Sequence, residues 1–200
     1  MGNVVQYAVL RKTVPAIGLA FLVLGAGGLW GDEDRQFGHW PYPEAEPSQL
    51  TVVDKQKPIS LRHEAAKAFE QMKKAARKDK VRLVLLSGFR SVEYQKGLFR
   101  RAVKKHGSSR AAARWVAPAG HSEHHTGYAM DLGDGHRPNT NLEPAFESTK
   151  AFYWLQKNAA QYGFELAFPK KNDRGPRYEP WHWHYVGNEE SRALFHRNKG

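Results

Sequence analysis

Leu61, Ala65, Phe69, Met72 and Ala76 recur at the spacing of a single helix face, and Lys and Arg crowd the last turn of that segment. Ser60, just ahead of it, is the expected N-cap. Val81-Arg82-Leu83-Val84-Leu85-Leu86 is a short apolar run containing β-branched residues, so it predicts a buried strand that Ser87-Gly88 breaks. Ser91 is placed to cap a second helix reaching about His106, with Gly107 as its stop. Further on, strands are expected over Tyr128–Leu132, Phe164–Phe168 and Trp181–Val186. A helix capped by Ser148 should run to about Tyr162, ended by Gly163, and Asn188 caps a short terminal helix. Helices and strands follow no regular βαβ rhythm, so the pattern predicts an α+β fold with a small, largely antiparallel sheet flanked by helices.

The N-terminal stretch has a different pattern. Residues 13–31 carry no charge, Arg11 and Lys12 precede them, and Asp32, Glu33 and Asp34 follow. As a helix these residues would reach about 28 Å, close to a bilayer's hydrocarbon thickness. The segment therefore predicts a membrane anchor or signal peptide, with residues 1–12 as a short cytoplasmic N-terminus and the rest of the chain outside. Residues 32–58, with Pro41, Pro43, Pro47 and Pro58, predict a linker or a strap over the surface of a domain at 59–200.

Composition narrows the chemistry. The 200-residue chain has 31 Lys and Arg against 20 Asp and Glu, a formal net charge of +11, and no cysteine. Without cysteine there is no disulfide framework, thiolate zinc site, cysteine nucleophile or lipidated cysteine. The net charge taken alone suggests nucleic acid. Its distribution does not: Leu61 to Trp115 holds sixteen Lys and Arg against four acids, whereas the remainder is nearly balanced. A basic pair of exported helices points instead to anionic wall polymers or lipid headgroups, with no nucleic acid among the expected partners.

The chain has ten histidines. His121, His124, His125 and His136 lie near Asp131, and His182 and His184 lie near Glu179. Zinc without cysteine takes imidazole nitrogen and carboxylate oxygen, and a catalytic site needs three protein ligands and one open position. His124, Asp131 and His182 are one such set, which leaves Glu179 to act as a base. Spacing alone does not separate a metal site from hydrogen-bonded histidines. The H-E-x-x-H, G-x-S-x-G, P-loop and G-x-G-x-x-G patterns are all absent.

Three segments occur in order: Ser87-Gly88-Phe89-Arg90-Ser91, then Ser122-Glu123-His124-His125-Thr126-Gly127-Tyr128-Ala129-Met130-Asp131, then Glu179-Pro180-Trp181-His182. Together they resemble the signatures of the VanY-type D-alanyl-D-alanine carboxypeptidases, within the LAS zinc metallopeptidases, and the likeness spans residues 48–187. The resemblance implies a zinc site on the sheet, with His124, Asp131 and His182 as ligands and Glu179 as catalytic base. It makes Arg90 the group that steadies the developing oxyanion, and places Ser122 and Gln95 in the substrate pocket. His184 shares a strand face with His182 and is expected either to touch substrate or to orient Glu179. The implied reaction is hydrolysis of the C-terminal D-amino acid of peptidoglycan stem peptides in the bacterial cell envelope. The alternatives are an L,D-carboxypeptidase on tetrapeptide stems and a non-hydrolytic zinc-containing wall-binding domain.

Overall fold

Alternation along a few short runs builds the framework that holds the histidines. The computed structural model describes residues 32–54, 56–170 and 176–196. The segment expected at the membrane, 13–31, lies outside the described residues, and among those described no helix is long and apolar enough to cross a bilayer. The fold is mixed α+β. Strands β1 (Leu50–Asp54) and β2 (Ile59–Arg62) pair antiparallel and lead into helix α1 (His63–Lys78). Next come β3 (Leu83–Ser87), α2 (Val92–His106), the single turn α3 (Ser109–Ala112), β4 (Ala129–Asp134), α4 (Lys150–Asn158), β5 (Phe164–Leu166), β6 (His182–Tyr185) and α5 (Glu189–Phe195). The second sheet is antiparallel throughout, in the order β3-β4-β6-β5.

The period of two along each strand divides that sheet into an apolar face and a polar face. Leu83 and Leu85 of β3, Met130 and Leu132 of β4 and Trp183 of β6 join the core with Phe69, Met72 and Ala76 of α1 and Phe152 and Leu155 of α4. The intervening residues Asp131, His182 and His184 therefore belong to the opposite face. Asp131 is paired directly with His182, and Ala129 with His184.

Local capping signals mark most helix ends. Ser91 Oγ accepts from Tyr94 N–H, Gly107 closes α2 at φ 81°, and Asn188 caps α5 by accepting from Ser191 N–H. Two N-caps differ from expectation. The backbone at 59–62 is extended rather than helical, because Ser60 C=O accepts from Phe89 N–H and Arg62 N–H donates to Gly127 C=O, while β1 takes the other edge. Helix α1 consequently starts at His63. At α4 the cap is Thr149, whose Oγ accepts from Phe152 N–H; Ser148 Oγ turns back to Ala145 C=O. The strand expected from Val81 begins at Leu83, because Val81 N–H is used closing α1 on Ala76 C=O.

Candidate metal centre and active-site cleft

The second signature folds into a 3-10 turn, Glu123–Thr126, followed by Gly127 at φ 70°. Gly127 is required by conformation and by space: a Cβ there would lie 2.9 Å from Leu50 Cδ2 and 3.0 Å from Arg62 Cγ. The turn directs His124 toward Asp131 at the start of β4, and the β4–β6 register adds His182. One donor atom from each of His124, Asp131 and His182 lies within 4.8 Å of the others, and all three residues are buried. His124 Nε2 is 3.4 Å from Asp131 Oδ2, and His182 Nδ1 is 3.1 Å from Asp131 Oδ1.

The outer nitrogen of each imidazole is anchored. His124 Nδ1 donates to Gly88 C=O at 2.7 Å, and His182 Nε2 donates to Glu123 Oε2 at 2.9 Å. A histidine that ligates a metal through one ring nitrogen ordinarily has its other N–H held by a carbonyl or carboxylate in this way. Two neutral-capable imidazoles and one carboxylate, preoriented and converging, make a donor set that fits zinc.

Electrostatics agree with a site built for a cation. Burial alone would raise Asp131, but the charges of His124 and Arg90 and hydrogen bonds from His124 and His182 outweigh it and hold the carboxyl well below its usual range. Burial and the nearby Arg90 lower His124 to about 4. His182 moves the other way: hydrogen bonds and charge from Asp131 and Glu123 overcome burial and raise it. Glu179 is raised to about 7, chiefly by burial, with the opposing attraction of His182 and the repulsion of Asp131 as smaller contributions.

These groups lie in a cleft of about 750 Å³. Arg90, Gln95, Ser122 and Glu179 all line it, together with His124, Asp131 and His182. Glu179 Oε2 is 3.9 Å from His182 Nδ1. Arg90 Nε donates to Ser87 Oγ at 3.0 Å and Nη2 to Asp131 Oδ2 at 2.6 Å, which uses two of the five guanidinium N–H donors. Gln95 is 1% exposed; its Nε2 donates to Ala117 C=O, while its Oε1 is buried with no partner among the described residues. An orphan acceptor in a cleft wall is suited to a ligand N–H.

His184 does not join them. It is absent from the cleft lining; its Nδ1 donates to Glu123 Oε2 at 3.0 Å and its ring stacks on Phe195 with centroids 4.1 Å apart. The residue that sequence reading missed is Glu123, buried behind the site and bridging His182 and His184 through one oxygen. A signal for it was available: two histidines on one strand face need an acceptor, and Glu123 is the carboxylate next to His124.

Residues 58–188 match the family model VanY, D-alanyl-D-alanine carboxypeptidase. The chain is 39% identical over 159 residues to YodJ of Bacillus subtilis, covering 74% of this chain and 57% of that protein. It spans about half the length of the relatives it matches. Among solved structures it resembles the LD-carboxypeptidase LdcB, with a TM-score of 0.67, 37% identity and coverage of 80% of this chain and 79% of that one. It also resembles a Glu-to-Ala mutant of the vancomycin-resistance D,D-pentapeptidase VanY in complex with Zn(II), with a TM-score of 0.62, 26% identity and coverage of 78% and 89%. A family match over well over half the chain, with the three signatures gathered around one cleft, leads to a single assignment: the chain belongs to the VanY D-alanyl-D-alanine carboxypeptidase family.

Proposed function

We propose that this protein is a zinc-dependent carboxypeptidase that removes the C-terminal D-alanine from peptidoglycan stem peptides, with His124, Asp131 and His182 as the metal ligands. The observation that carries the reading is their convergence in a cleft also lined by Glu179 and Arg90. Zinc, when bound, supplies a Lewis acid that makes water ionisable near neutral pH. Glu179 takes a proton from the attacking water and delivers it to the amine that leaves as the C–N bond breaks, a role worth roughly 10²–10⁴-fold. Arg90, permanently charged and fixed by Ser87 and Asp131, directs its remaining donors at the carbonyl oxygen as negative charge builds there. Ser122 and the free acceptor of Gln95 hold the peptide.

A second reading is L,D-carboxypeptidase activity on tetrapeptide stems, favoured by the higher identity to LdcB, 37% against 26% for VanY. Mass spectrometry of pentapeptide and tetrapeptide stems after incubation with the zinc-loaded protein separates the two. Loss of D-alanine from pentapeptide, stopped by a chelator, supports the first; release from tetrapeptide alone supports the second. Glu179→Ala should abolish release while zinc stays bound, and an unchanged rate would remove Glu179 from the mechanism. A zinc-loaded protein that cleaves neither stem would instead favour a non-hydrolytic wall-binding role.

The reading places the protein in the cell envelope, with residues 13–31 holding the catalytic domain outside the cytoplasmic membrane. The exposed cations Arg100, Arg101, Lys104 and Lys105 of α2 would then face anionic wall polymers or headgroups. Reversing those four charges should weaken sedimentation with purified walls, and unchanged sedimentation counts against that contact.

A further inference from the structure

The polypeptide that approaches the domain from its N-terminal side is bonded to the segments that border the cleft. Residues 39–46 precede the family-matched region, which starts at 58, yet they contact the elements carrying the peptide-binding side chains. His39 is 6% exposed, lines the cleft, and its Nε2 is 2.7 Å from Ala113 C=O at the end of α3. Tyr42 N–H donates to Gly120 C=O at 2.9 Å, and Ala45 N–H donates to His125 C=O at 2.8 Å, with Ala45 itself buried. Glu44 Oε2 accepts the first amide of α2, Val92 N–H, at 2.5 Å. Tyr42 Oη reaches Glu123 Oε1 at 3.4 Å.

These bonds fall on one functional group of residues. Ser122 lies between the two carbonyls that the strap holds, Gly120 and His125. Gln95 is three residues past Val92, in the first turn of α2, and its Nε2 is tied to Ala117 at the start of the same loop. Helix α2 needs such an external hold, because it buries only Gln95 and Ala102. An acidic side chain accepting from the first N–H of a helix stabilises that end, beside the Ser91 cap. On the zinc side, His124, Asp131 and His182 hold one another and are anchored by Gly88 and Glu123, and Tyr42 Oη of the strap reaches Glu123.

We propose that residues 39–46 brace the wall of the substrate cleft, with His39 and Glu44 as positioning residues that set Gln95, and the strap's backbone bonds to Gly120 and His125 setting Ser122, against the bound peptide. This rests on the cleft being a peptide site, as proposed above. A free tether would make none of these contacts. The strap therefore belongs to the catalytic unit although it precedes the residues that match the family model.

The test uses the full-length, zinc-loaded protein and its His39→Ala/Glu44→Ala double variant, which keeps the backbone bonds of the strap. Amide hydrogen exchange should be at least about tenfold faster at 92–95 and 113–117, the segments that Glu44 and His39 hold, in the variant. KM for the stem peptide should rise about fivefold or more, with kcat within about twofold and zinc still at one per chain. Glu44→Gln, which still offers an oxygen to Val92 N–H, should behave like the parent. Exchange within twofold of the parent at both segments, an unchanged KM, or zinc lost in parallel with activity would overturn the proposal. If the parent releases no amino acid from any stem, the peptidase reading fails, and the exchange comparison still decides whether the strap holds the wall.

Discussion

Glu123 is the most informative residue to change, because one of its oxygens serves two buried imidazoles. An ionised carboxylate only accepts, so both ring nitrogens facing it, His182 Nε2 at 2.9 Å and His184 Nδ1 at 3.0 Å, must carry protons. His182 is thereby fixed with Nδ1 toward Asp131, while His124 has a separate anchor in Gly88 C=O. Removing Glu123 therefore frees one of two imidazole anchors. Loss of such an outer partner typically weakens metal binding 10- to 100-fold, equivalent to about 1.4–2.7 kcal/mol. Glu123→Gln keeps an acceptor of similar reach and isolates the loss of charge, so its zinc affinity should fall toward the lower end of that range. Glu123→Ala should reach the upper end and also leave two buried N–H groups without an acceptor, at about 1–3 kcal/mol each. Competition with a chromogenic chelator measures the affinity, and thermal unfolding of the zinc-free variants measures the fold. Zinc affinity within twofold of the parent for both variants would refute the idea that Glu123 orients His182.

Three further outcomes are expected. Gly88→Ala would put its Cβ 2.4 Å from Ser60 C=O, a backbone atom that cannot rotate away, so unfolding should be easier by about 1–3 kcal/mol in a thermal melt. Arg90→Lys keeps the charge but loses the planar fork that spans Ser87 and Asp131, and kcat/KM on the stem peptide should drop on the order of 10²-fold, with an unchanged value removing Arg90 from transition-state binding. Thr149→Ala should cost about 1 kcal/mol through loss of the α4 cap, and Thr149→Ser should restore most of it; equal melting temperatures for all three would contradict the cap.

Legibility in the chain followed the range of the interactions involved. Helix ends set by a residue's own side chain and its near neighbours, such as Ser91 on Tyr94 N–H and Asn188 on Ser191 N–H, can be read from sequence because everything needed is within four positions. Ser60 looked just as suitable as a cap. It failed because its carbonyl is taken by Phe89, and the amide two residues on, of Arg62, by Gly127, from segments about 30 and 65 residues away. The same logic divides the site. The order of motifs and the two-residue period of a strand put Asp131 and His182 on the polar face, and the register pairs them. The same period also put His184 on that face, but not into the cleft, since whether a side chain lines a cavity depends on what packs over it, here Glu123 and Phe195.

The strap carries this argument furthest. Prolines at 41, 43 and 47 and a mostly polar composition describe a tether equally well. Two of the bonds that hold these residues on the domain are carried by backbone groups, Tyr42 N–H on Gly120 and Ala45 N–H on His125, and every non-proline residue has that donor. Side-chain identity records such contacts only indirectly, in the small buried Ala45 that lets the strap approach and in the carboxylate of Glu44 set over a helix start. Motifs register the residues that perform chemistry because their atoms are specific. The chain that holds those residues in place is bound in part through atoms that all residues share, so the boundary of a catalytic unit has to be found in the fold.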